Sequence, residues 1–184
     1  PEWLVKEGRE IVLSQLKKWG YDVVVLSPED TKHGAVQTWE DAQKCAALFD
    51  ENRKKISGIV VTLPNFGEEK AIADAIRHSG LNVPILIHAF PDKTSALDVK
   101  SRRDSFCGKL SICNNLRQYN IPFTLTSDHT EDPDSAIFKE DIATFAGVSR
   151  IVSGFKNLKA GAIGARPNAF NTVRYSEKIL ENSG

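Results

Sequence analysis

The 184-residue sequence contains no methionine, not even at its first position, although cores of this kind commonly use that adaptable side chain to fill gaps. A fragment of a longer chain is therefore expected. An excess of either charge is also missing: Lys plus Arg and Asp plus Glu number 24 each, so no net field recruits nucleic acid or an anionic membrane as partner. No apolar run approaches the roughly 20 residues that span a bilayer, and no basic-then-apolar leader opens the chain. A soluble, cytoplasmic protein is the expectation. Cysteine is scarce and odd in number. Cys45, Cys107 and Cys113 form no CxxC pair and have no histidines at zinc-ligand spacing, so reduced thiols are expected. Walker, nucleophile-elbow and HExxH motifs are missing, and Gly161 and Gly164 do not make a GxGxxG fingerprint.

What the sequence does contain is apolar residues in two alternating periods. They make up 41% of the chain, enough for the core of one domain. Leu4, Val5, Gly8, Ile11, Val12, Leu16 and Trp19 form a one-sided helical stripe ending at Gly20, and the β-branched run 21–27 follows as a strand. Residues 39–54 repeat the helical pattern with Ala42, Cys45, Ala46 and Phe49 inward, and 56–63 is the next buried strand. Glu68 and Glu69 open a helix closed by Gly80, and 83–89 is again strand-like. A long connection, 90–103, leads to a helix ending at Tyr119. Then come a strand at 122–126, a polar loop at 127–133, a helix from Asp134 toward Ile151, a strand at 159–164 and a final helix after Arg166, Pro167 and Asn168.

One helix followed by five strand-and-helix pairs predicts an α/β fold: three layers, a mostly parallel sheet with helices on both faces, Rossmann/flavodoxin-like. Because each complete unit begins with a strand, a first strand ahead of Pro1 is expected to be missing, which would make six. Residues 1–166 are expected to form this domain, and 167–184 a linking helix toward a middle domain.

In such sheets, ligands gather beyond the carboxyl ends of the strands, near a topological switch point. That rule selects residues 27–33, Asn65 and Phe66, His88 with 90–103, Asp128 with His129, and Arg166. Within this set, two adjacent arginines run into an Asp-Ser pair that can cap a helix, so cationic side chains and free backbone N–H groups converge. Arg102 and Arg103 could hold a phosphate, a carboxylate or a row of sugar hydroxyls; solvated surface arginines are the plainer alternative. Phe66 could wall a ligand with Asn65 as its hydrogen-bonding neighbour, or staple the helix behind it. His88 and His129 could meet as proton carriers or ligands, although with Asp128 they make only a thin metal site. Cys107 is expected to be packed and inert.

Three strings, TLPNFGEE at 62–69, RRDSFCGKLSICNN at 102–115 and GARPNAFNTVRY at 164–175, resemble the N-terminal domain of the L-fucose and L-arabinose isomerase superfamily, especially its fucose-isomerase-like branch. The similarity runs through essentially the whole chain. It implies an aldose-ketose isomerase of carbohydrate metabolism that works through an enediol with Mn2+ or a similar divalent cation. The metal ligands of that family, a Glu, an Asp and a His, lie in its middle and C-terminal domains. The resemblance thus implies a domain without catalytic or metal-ligating residues of its own, which lines the substrate and builds a homo-oligomer of trimer or hexamer type. Asn65 and Phe66 match the loop with the substrate-facing aromatic, and Arg102, Arg103 and Asp104 the loop that reaches sugar hydroxyls. Asp128 and His129 match by place in the fold. The implied ligand is a monosaccharide, aldose or ketose. The alternative is a non-catalytic sugar-binding α/β module.

Overall fold

A computed structural model describes residues 2–159, 161, 163, 164, 169 and 175–183. The opening stripe folds as α1 (Glu2–Lys18), burying Leu4, Val5, Gly8, Val12 and Leu16. Next, α2 (Trp39–Glu51) starts at a reciprocal cap: the Thr38 hydroxyl accepts from the Asp41 N–H, and the Asp41 carboxylate accepts from the Thr38 N–H. The chain continues through β1 (Ile59–Leu63) and α3 (Glu69–Ser79), which Gly80 closes in the left-handed conformation. β2 (Ile85–Ala89), α4 (Ser105–Gln118), β3 (Thr124–Leu125), α5 (Ala136–Lys156) and α6 (Glu177–Ser183) complete the order.

The three strands form one parallel sheet in the order β1-β2-β3, with Ile59 opposite Ile85 and Leu86 opposite Thr124. Side chains alternate between its faces. Ile59, Val61 and Leu63 join Ile85, Ile87 and Ala89 in a core closed by α3 and α4, to which Ile112 and Leu116 contribute. Val60, Leu86 and Phe90 face the other way, toward Val12 and Leu16 of α1 and Phe138 and Ile142 of α5. The sheet therefore lies between two helical layers, and the three-layer α/β class is the observed one. α2 joins the α3 layer through Ala42 and Cys45 packed with Ala75.

The strands are fewer and shorter than the sequence suggests. Residues 21–27 join no ladder among the described residues; they and β1 line a cavity of about 480 Å³. β3 stops at Leu125 because the Thr126 hydroxyl donates to the Asp128 carbonyl and turns the chain. The expected strand at 159–164, Arg166 and the boundary at 166–167 fall wholly or partly outside the described residues. Among the described residues no helix is long and apolar enough to cross a membrane.

Candidate functional site

The loops after β1 and β2 meet because α4 carries a glycine where they touch. A Cβ on Gly108 would stand 1.8 Å from the Phe66 carbonyl oxygen, so only glycine lets α4 lie against that loop. This seats Phe66 beside the entrance of α4. Phe66 is 45% exposed, and with Glu68 as the N-cap of α3 it stands one residue outside the position that staples a helix. Asn65 next to it is half-buried.

The adjacent arginines part company here. Arg103 is 7% exposed, and its guanidinium donates to the Pro64 carbonyl at 2.8 Å and to Glu7 at 2.9 Å, while lying 4.9 Å over the Phe90 ring. Its backbone N–H donates to the Asp92 carboxylate at 2.6 Å. One side chain thus clamps α1 and the loops after β1 and β2. Arg102 stays half-exposed and pairs with Asp104 at 2.7 Å. Asp104 occupies the N-cap position of α4 with φ at 53°, and its side chain makes no capping bond. The Asp-Ser cap expected from sequence does not form, because Arg102 draws the carboxylate away. The Ser105 hydroxyl behind it is buried without a partner among the described residues.

His88 does not reach the rim. It is fully buried, and its Nε2 faces the Glu131 carbonyl at 2.9 Å. A carbonyl only accepts, so Nε2 carries the proton and Nδ1 accepts from the Thr62 hydroxyl at 2.8 Å. Burial pushes the pKa down to about 4. With both nitrogens committed and its ring against Phe90 and Phe138, His88 is a neutral core histidine rather than a proton carrier partnered with His129.

His129 is exposed and stacks on Phe106 at 5.1 Å, with 24° between the ring planes. The buried Lys109 ammonium holds this loop from below, donating to the Thr126 hydroxyl at 2.7 Å and the His129 carbonyl at 2.9 Å; burial lowers its pKa. Glu131 accepts from the Asp128 N–H at 2.8 Å; burial raises its pKa, the Asp128 N–H opposes the rise, and Asp141 adds to it. Asp128 itself is exposed. The rim therefore collects Asn65, Phe66, Arg102, Asp104, Asp128 and His129, while Arg103 lies beneath it. Phe106 and Lys109 stand in one of the quoted strings, but nothing local marks the first as a stacking partner or the second as a buried cation.

Elsewhere on this edge, Lys32 and His33 pair with Glu2 at the start of α1. Cys107 is exposed, not packed as expected, whereas burial raises the Cys45 thiol to about 11. Among the described residues no three His, Cys, Asp or Glu side chains come together as a ligand group.

No curated protein and no solved structure matches the chain. A family model does: the fucose/sulfoquinovose isomerase N-terminal domain matches residues 1–156, a span that takes in every element from α1 through α5 and all of the rim. With that match over most of its length, the chain belongs to the fucose/sulfoquinovose isomerase N-terminal domain family.

Proposed function

We propose that this chain is the substrate-lining, oligomer-forming N-terminal domain of a metal-dependent aldose-ketose isomerase, and that its rim faces a monosaccharide held in a neighbouring subunit's site. The observation that carries this reading is the combination of an exposed ion pair, Arg102 with Asp104, and exposed aromatic surface at Phe66 and Phe106 on one sheet edge. Sugar hydroxyls both donate and accept hydrogen bonds. A guanidinium offers only donors and a carboxylate only acceptors, so the pair matches a polyol better than it matches a bare anion. Ring faces suit the apolar C–H side of a sugar. Family membership supports isomerase chemistry in the intact protein.

In this arrangement Asn65, Phe66, Arg102, Asp104, Asp128 and His129 orient the sugar, and Arg103 fixes the loop that carries Asn65 and Phe66. A divalent cation would polarise the substrate's oxygens. Its ligands, and the groups that move the proton, are assigned to residues outside this chain.

The test uses the full-length protein with Mn2+ and a panel of aldoses. Arg102→Ala and Phe66→Ala should raise KM about tenfold while the oligomer mass by light scattering stays unchanged. Turnover by residues 1–184 alone would overturn the division of labour. Tight saccharide binding by the same chain in calorimetric titration would instead favour a self-sufficient sugar-binding module.

A further inference from the structure

β1 is paired on one side only. The Ile59 N–H donates to the Pro84 carbonyl, and the Leu63 carbonyl accepts from the Phe90 N–H, so the main-chain groups of its odd-numbered residues point toward β2. Successive strand residues direct these groups to opposite sides, so Val60 and Thr62 present theirs to the other flank. No strand lies there among the described residues. Residues 21–26 run along the far side of the 480 Å³ cavity. The main chain of residues 22–25 makes no hydrogen bond among the described residues, and Val23 and Val25 are 42% and 41% exposed. Val12 and Leu16 of α1, Ile142 of α5 and Ile76 of α3 line the same space from the two helical layers. An open slot this large between apolar walls, beside a strand edge left unpaired, is unusual in a packed domain. One strand laid between the two walls would remove both anomalies.

Handedness says which strand. From β1 through α3 to β2, and on through α4 to β3, the chain advances in one direction with its helices on one face. The passage from residues 21–27 through α2 to β1 advances the same way on that same face. α1 lies on the opposite face with α5. Parallel crossovers are right-handed in about 98% of cases, so a helix on the opposite face serves a crossover running in reverse. The strand that feeds α1 must then lie on the β1 side of residues 21–27, which is where the slot is. α1 also begins at the correct edge: its Gly8 packs against Pro64 and Phe90, the residues that follow β1 and β2.

We propose that the slot takes a parallel β-strand contributed by the polypeptide directly ahead of α1, about five residues long and apolar on both faces. This does not depend on the sugar reading. The sheet order becomes residues 21–27, the added strand, β1, β2, β3. α1 and α3 then leave neighbouring strands for opposite faces, which defines a topological switch point. Its crevice opens between the start of α1 and the loop carrying Asn65 and Phe66.

The test is amide hydrogen exchange on the 184-residue chain and on chains carrying Lys-Val-Ile-Val-Val ahead of Pro1, joined by Gly-containing linkers of one, two or three residues so that linker length alone does not decide. At least one extension should slow exchange at Val60 and Thr62, and at one alternating pair within residues 22–25, by about 100-fold. The same extension with proline at the strand centre, which cannot donate to a ladder, should not. Unchanged exchange with every linker overturns the proposal. So does protection of these amides already present without any extension. Protection that grows with protein concentration together with a dimer's mass also overturns it, since the occupant would then be a second copy.

Discussion

The two flanks of β1 are built on different principles. Toward β2, Thr62 binds His88 across the ladder, Arg103 holds the Pro64 carbonyl, and Gly108 brings α4 onto the Phe66 backbone. Toward residues 21–27, β1 meets apolar side chains and no ladder. The candidate site hangs entirely from the closed flank. Long-range polar bonds fix geometry there, whereas burial alone, on the open flank, leaves the strand unmatched.

The contrast breaks hardest at Gly108. Gly108→Val places a Cβ where the Phe66 carbonyl already lies, and backbone cannot give way cheaply. The expected loss is about 3 kcal/mol of unfolding free energy, read by urea denaturation.

A loss of up to about 3 kcal/mol is expected from pH at His88. Its folded pKa is about 4 against the 6.5 of a free histidine, so the unfolded chain takes up a proton that the folded one refuses. The contribution is full above pH 6.5 and is lost as pH falls toward 4. Glu131, with its raised pKa, acts in the opposite sense within the carboxylate range, so wild type must be compared with His88→Gln. The variant should flatten the slope between pH 6.5 and 4; parallel curves would refute a neutral buried ring.

Arg103→Ala should cost about 2 kcal/mol, since it strips a partner from the Pro64 carbonyl, whereas Arg102→Ala should stay within about 0.5 kcal/mol because its ion pair is solvated. Equal shifts in melting temperature would dissolve the distinction between clamp and rim. Smallest of all, Val25→Thr on the open flank should change the stability of the 184-residue chain by less than about 0.5 kcal/mol, its side chain being solvent-exposed already. A larger loss would mean that flank is closed.

What could be read from sequence was what short-range rules determine. The stripe from Leu4 to Trp19, the acidic start and Gly80 end of α3, and the apolar runs that became β1 and β2 each need only their own neighbours. Arg102 and Arg103 share a local context, and only Glu7, Pro64 and Phe90, far away in the chain, bury one and leave the other out. His88 sits near a strand end, as a rim residue would, yet Thr62, the Glu131 carbonyl and two phenylalanines make it core. Asp104 has the chemistry of a cap, but a salt bridge to Arg102 outcompetes the backbone. Residues 21–27 have a strand's composition without a partner to pair with.

The loop bearing His129 has one further consequence. Glu131 gives its N–H to the Ala89 carbonyl at 2.9 Å and takes the Nε2–H of His88 on its own carbonyl at 2.9 Å, while Lys109 grips the His129 carbonyl next door. Ordering entropy for this segment is therefore surrendered when the chain folds, not when something docks. On the proposed reading, a sugar or a neighbouring subunit arriving at the Phe106–His129 stack would meet a template already set, and its association should be close to rigid-body, with little of its enthalpy spent on arranging the loop.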